Sequence, residues 1–156
     1  MAEPRPLRRF LLALPLLAAG QGWAADNDAI YRLNELLDSD PQYRETWQDL
    51  VKKEERLPDW VMNLDGTATP MQVEEEDGDK YLVGELCKAH DCAANRLYVA
   101  FSWNKKDAYA LYVLVPENLP PDKSPSRHAS FRWLGEPDAG MQQLLDEQLK
   151  ADPNWY

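Results

Sequence analysis

Two cysteines and two histidines are all that this 156-residue chain contains, and the scarcity narrows the field before any motif is considered. A structural zinc site takes four ligands. Cys87, His90 and Cys92 would supply three, and the other histidine, His128, lies far along the chain. A thiol oxidoreductase carries the tighter Cys-x-x-Cys spacing at the start of a helix, whereas these cysteines have four residues between them and strand-like sequence on either side. Positive charge is also short, with 17 Lys and Arg against 27 Asp and Glu, a formal net charge of −10. Nucleic-acid binding needs a basic footprint, which is missing here. The only long apolar run, Phe10–Ala19, is too short to span a bilayer, and no second stretch of membrane length follows it.

That run has a different use. Arg5, Arg8 and Arg9 precede it, and Gly22 and Ala24 stand at the −3 and −1 positions of a small-residue cleavage site. Residues 1–24 therefore read as a secretory signal peptide, with a single domain over residues 25–156. Cleavage removes three Arg and one Glu, so the formal charge moves from −10 to −12. So acidic a product suits a basic partner, because long-range attraction speeds encounter; solubility alone would also account for it. Export into an oxidising compartment makes a disulfide the expected state of Cys87 and Cys92.

The periodicity points to an α+β fold. Ile30, Leu33, Leu36 and Leu37 place a short amphipathic helix over Asp26 to Asp38, with Asn27 or Asp28 as cap. Asp40 and Pro41 then read as N-cap and first residue of a second helix, whose apolar face is Tyr43, Trp47, Leu50 and Val51. Leu57–Val61 is a turn carrying apolar anchors. Asp77-Gly78 between Thr69–Glu76 and Asp79–Leu86 signals a hairpin. Further strands are expected over Asn95–Trp103, with Leu97, Val99, Phe101 and Trp103 on one side, over Tyr109–Val115 and over His128–Leu134. Four prolines between Pro116 and Arg127 make a surface loop. Pro137–Lys150 is a C-terminal helix that Gly140 could loosen. The expectation is an antiparallel sheet of about five strands with helices packed on one face.

Within that frame Cys87-Lys88-Ala89-His90-Asp91-Cys92 joins two consecutive strands, and a disulfide would close it into a protruding loop at the end of the sheet. Closing so small a ring removes roughly 2 kcal/mol of chain entropy from the unfolded state, and it orders the loop before any partner arrives. The residues alone leave several uses open: a disulfide-closed turn with solvated side chains, a redox or metal-binding protein built on Cys87, His90 and Cys92, or a catalytic His90. The last needs a nucleophile nearby, and adjacent residues in an extended loop point apart, so Asp91 does not simply pair with His90.

The hexapeptide closely resembles the Cys-Lys-Pro-His-Asp-Cys loop of the Ivy family, periplasmic inhibitors of vertebrate lysozyme. Leu57-Pro58-Asp59-Trp60-Val61 resembles that family's Leu-Pro-x-Trp-Val segment, and Thr67-Ala68-Thr69-Pro70 its Thr-x-Thr-Pro strand entry. Arg96, Val99 and Ser102 follow at the expected distances, and Trp133-Leu134 and Asn154-Trp155-Tyr156 are also similar. In order, these segments cover nearly the whole mature chain.

The resemblance implies a periplasmic inhibitor, not an enzyme, with no cofactor. Its partner would be a basic c-type lysozyme, whose active-site cleft the loop enters. By position, His90 would contact the two catalytic carboxyl groups. A retaining glycosidase keeps one of these protonated and the other ionised, about 5 Å apart, and an imidazole between them can accept at one nitrogen and donate at the other. Asp91 would accept from loop backbone or from the enzyme, and Lys88 would face the cleft rim or solvent. Ala89 departs from the family pattern, which has proline there; losing a fixed φ loosens the reduced loop. The cell's own lytic transglycosylases are an alternative target, and a homodimer is compatible with the aromatic content.

Overall fold

The computed structural model of the chain describes residues 31–156. The expected signal peptide and the cap positions Asn27 and Asp28 lie outside the described residues. Helix α1 (Leu33–Ser39) buries Leu33 and Leu36, as the apolar spacing predicts. Its entry is held differently from expectation: Arg32 precedes it in extended backbone without capping it, and donates from Nη1 to the Ala68 carbonyl at 2.6 Å. Helix α2 (Pro41–Val51) starts as its sequence predicts, with Pro41 in the first turn and the Asp40 carboxylate accepting from the Gln42 amide at 2.8 Å. It buries Tyr43, Thr46, Trp47 and Leu50. The anchor segment forms one helical turn, α3 (Asp59–Met62), whose Val61 carbonyl accepts from the Trp47 indole at 3.1 Å.

Among the described residues six strands make one antiparallel sheet: β1 (Thr67–Ala68), β2 (Gln72–Glu76), β3 (Asp79–Cys87), β4 (Asn95–Ser102), β5 (Ala108–Leu114) and β6 (Ser130–Leu134). The order is β1-β3-β4-β5-β6, with β2 also on β3. Asp77 and Gly78 both have positive φ, 51° and 83°, the mark of the type I′ turn that Asp-Gly favours. The first expected strand, Thr69–Glu76, forms only from Gln72 onward, and the short β1 lies before its expected start. Pro70 has no amide hydrogen to give a ladder, and Met71 turns inward instead, its amide bonding to the Tyr31 carbonyl at 2.8 Å. Met71 packs where Gly84 has no side chain: a Cβ there would stand 2.8 Å from the Met71 Cγ. The break yields the two short strands β1 and β2 along the single long strand β3.

The α+β class and the antiparallel sheet hold, but the helices cover both faces, not one. Leu97, Val99 and Phe101 of β4 pack with α1, α2 and α3. The alternate residues Tyr98 and Ala100 pack on the other face with Leu111 and Val113 of β5 and with Leu145 of α4 (Ala139–Lys150). Apolar residues occupy both sets of alternating positions in β4 and β5, so each of these central strands needs cover on two sides. Helix α4 is capped by Asp138, whose carboxylate accepts from the Met141 amide at 2.9 Å, and it runs unbroken through Gly140. Trp103, expected on the core side, lies past the end of β4 and is 58% exposed. No helix among the described residues is long and apolar enough to cross a membrane.

Candidate functional site: the disulfide-closed loop

Cys87 is the last residue of β3 and Asn95 the first of β4, so the intervening residues connect two paired strands at one end of the sheet. The Lys88 amide still bonds to the Asn95 carbonyl at 3.1 Å, which carries the ladder one step beyond the strand end. Cys87 and Cys92 are joined, with Cα atoms 4.8 Å apart. Sulfurs bonded to each other are not thiolates, and this sets aside the metal site built on Cys87, His90 and Cys92.

Inside the ring the backbone makes a tight turn. The Asp91 amide donates to the Lys88 carbonyl at 2.9 Å, and of the two central residues only His90 has positive φ, 64°. A β-turn with positive φ confined to its third residue is of type II. His90 holds this left-handed conformation without being glycine, at a cost in backbone energy that the closed ring offsets. The turn leaves Lys88, Ala89 and His90 exposed and Asp91 half-buried. Among the described residues, the His90 imidazole takes part in no hydrogen bond and Lys88 in no ion pair.

Asp91 faces inward. Its carbonyl accepts from the amides of Ala94 (3.3 Å) and Asn95 (3.1 Å), and its carboxylate accepts from the Asn95 side chain at 2.7 Å. The same Asn95 carboxamide accepts from the Tyr112 hydroxyl of β5 at 3.2 Å. Burial raises the Tyr112 pKa; the Arg132 charge opposes this and the Asp91 charge adds to it. The hydroxyl therefore stays protonated at neutral pH and acts as a donor. Neither Asn95 nor Tyr112 is singled out by sequence reasoning, since each passes for an ordinary strand residue. The one available signal is that Asn95 stands four residues after Asp91, the reach of a local side-chain bond.

Some of the other segments that carry the resemblance lie at this end of the molecule, whereas Ser102 pairs with Tyr81 at the opposite end of the sheet. Trp60 meets the Tyr112 ring edge-on at 5.8 Å. Thr67 pairs with Cys87 across the sheet. Arg96, paired with Cys87 on the other side, is buried; it forms an ion pair with Asp152 and lies 5.9 Å from the centre of the Trp155 ring. Trp155 in turn accepts at its carbonyl from the Ser126 amide at 3.0 Å, which fastens the C-terminal segment and the proline-rich loop together. Beside Arg96, burial raises the Glu85 carboxyl, with the Arg96 charge working against it.

A model of the family described as inhibitor of vertebrate lysozyme (Ivy) matches residues 42–151. The chain belongs to the Ivy family. Its sequence is 41% identical to the inhibitor of vertebrate lysozyme of Pseudomonas aeruginosa, over 93% of this chain and 95% of that protein. It is 62% identical to an uncharacterized protein of the same organism, over 97% and 99% of the two chains. The inhibitor of vertebrate lysozyme of Escherichia coli K12 is 32% identical over 54% of this chain and 48% of its own length. The matched region of this Ivy chain includes the whole loop, its two flanking strands and Tyr112.

Proposed function

We propose that this Ivy-family chain is an exported, periplasmic inhibitor of c-type lysozyme and not an enzyme, and that it acts by inserting the loop Cys87–Cys92 into the active-site cleft. The observation that carries the reading is the loop itself: His90 stands exposed, free of hydrogen bonds among the described residues, on a turn closed by both a disulfide and backbone bonds. Ordering before contact lowers the entropy lost on binding. Lysozyme presents a general acid and an ionised carboxylate about 5 Å apart. One imidazole reaches both: one nitrogen accepts from the acid and the other donates to the carboxylate, or both donate as imidazolium. Substrate is then excluded and both catalytic groups are engaged. Asp91, turned back into the loop, serves presentation rather than contact, and Lys88 is left to solvent or the cleft rim.

The test is a titration of c-type lysozyme activity with the purified exported protein, alongside His90→Ala. The expected result is inhibition that saturates with added protein, weakened at least tenfold by the substitution while the far-UV spectrum and melting temperature hold. Absence of inhibition by the native chain at an excess on the order of 10 μM would sink the proposal. Undiminished inhibition by folded His90→Ala would remove the role given to that side chain.

A further inference from the structure

The disulfide closes the ring, but it does not determine how the ring sits on the sheet. Cys87 is fastened in β3, whereas Cys92 and Ala93 are exposed. Backbone bonds tie Lys88 and Asp91 to Asn95 at the start of β4, which leaves the side chains to fix how the ring tilts relative to β5. We infer that Asn95 and Tyr112 are positioning residues for His90: a hydrogen-bond chain from the Tyr112 hydroxyl through the Asn95 carboxamide to the Asp91 carboxylate anchors the turn to the interior strand β5, independently of the disulfide. This deepens the inhibitor reading and rests on it for the role of His90.

The polarity of the chain is consistent from end to end. A carboxamide offers an acceptor and donors in one plane. Its oxygen takes the Tyr112 hydroxyl proton at 3.2 Å, and its nitrogen gives to Asp91 at 2.7 Å. An aspartate at position 95 could still accept from the tyrosine, but it would face Asp91 with a second acceptor. The anchor itself is firm. Tyr112 is 7% exposed, lies in β5 between β4 and β6, and has Trp60 packed against its ring. Asp91 also shares its backbone with the turn: its amide closes the bond to Lys88, and His90 is its immediate neighbour. Restraining Asp91 therefore restrains the rotation that would swing His90 away from its direction of approach.

Tyr112→Phe keeps the ring and its packing and deletes only the donor; Asn95→Asp reverses the donor toward Asp91. Amide hydrogen exchange is to be read at Asp91 and Asn95 in the loop and at Val99 and Leu111 in the central strands, with dissociation from lysozyme measured in parallel. One lost hydrogen bond predicts loop exchange faster by roughly three- to tenfold with central-strand exchange unchanged. The lysozyme dissociation rate should rise by a similar factor, with association altered less than twofold and the effect larger after reduction of Cys87–Cys92. Unchanged loop exchange in Tyr112→Phe would overturn the anchor, and equal acceleration in loop and sheet would reduce Tyr112 to a purely structural residue. If the native protein does not bind lysozyme, the inhibitor function fails by itself. The exchange measurement then still decides whether this chain holds the turn.

Discussion

Ala89 occupies the second position of a type II turn, the place where proline is favoured because its ring pre-sets φ. Its amide takes no part in a hydrogen bond among the described residues, so a proline there would forfeit nothing. Lys88 before it leaves a strand with its amide still bonded to Asn95, an extended setting compatible with a following proline. Ala89→Pro should therefore stabilise the protein by about 0.4–1 kcal/mol, through a less flexible unfolded chain. It should also tighten lysozyme inhibition by a factor of roughly two to five. Thermal unfolding and an inhibition titration check the two effects separately, and a lowered melting temperature would contradict the type II geometry. His90 and Ala89 are legible in the hexapeptide. Asn95 and Tyr112 are not, because what brings them together is register: Tyr112 lies opposite Leu97, which makes it the diagonal neighbour of Asn95 on the same face.

Helix α2 shows how local signals and distant contacts combine in one element. Asp40 caps the helix and also forms an ion pair with Lys105 from the turn between β4 and β5. The Lys105 hydrogen bond, followed by the bond from the Gln42 amide, holds the Asp40 carboxyl below its ordinary value. The folded protein therefore binds a proton at Asp40 less readily than the unfolded chain does. The resulting stabilisation is complete above the unfolded pKa near 3.8 and is lost as pH falls through the lower folded value. Asp40→Ala should lower the melting temperature by roughly 3–6 °C at pH 7, chiefly through loss of the cap. The difference from the parent should shrink as the scan moves to pH 3 and below. A difference that stays constant with pH would mean that the Lys105 pair contributes nothing. At this scale the sequence is a good guide: α2, the Asp-Gly hairpin, β4, β5 and α4 lie where spacing, caps and turn residues predict. The separate strand β1 and the late start of β2 escape it, because the cause is the fit of Met71, between them, onto Gly84 of β3.

The whole molecule carries a formal charge of −10, or −12 without its first 24 residues. On the proposed inhibitor function, attraction of so acidic a body for a basic lysozyme acts over distances that salt screens, whereas contacts inside the cleft are short-ranged. Raising sodium chloride from about 50 to about 500 mM should slow association at least fivefold and change dissociation less than twofold. Equal effects on both rates, read by stopped-flow or surface-binding kinetics, would show that charge acts within the complex and not on encounter. Amino-acid sequence by itself determined the α+β class, the acidic charge balance, most element positions and the disulfide-closed loop that carries His90. These follow from properties carried by neighbouring residues: hydrophobic period, caps, turn residues and charge. Only the tertiary structure decided that the sheet is covered on both faces, that Arg96 is buried against Asp152 and Trp155, and that Asp91 turns inward onto Asn95 and Tyr112. Each of these depends on which strands pair and in what register, and that is settled by packing residues far apart in the chain.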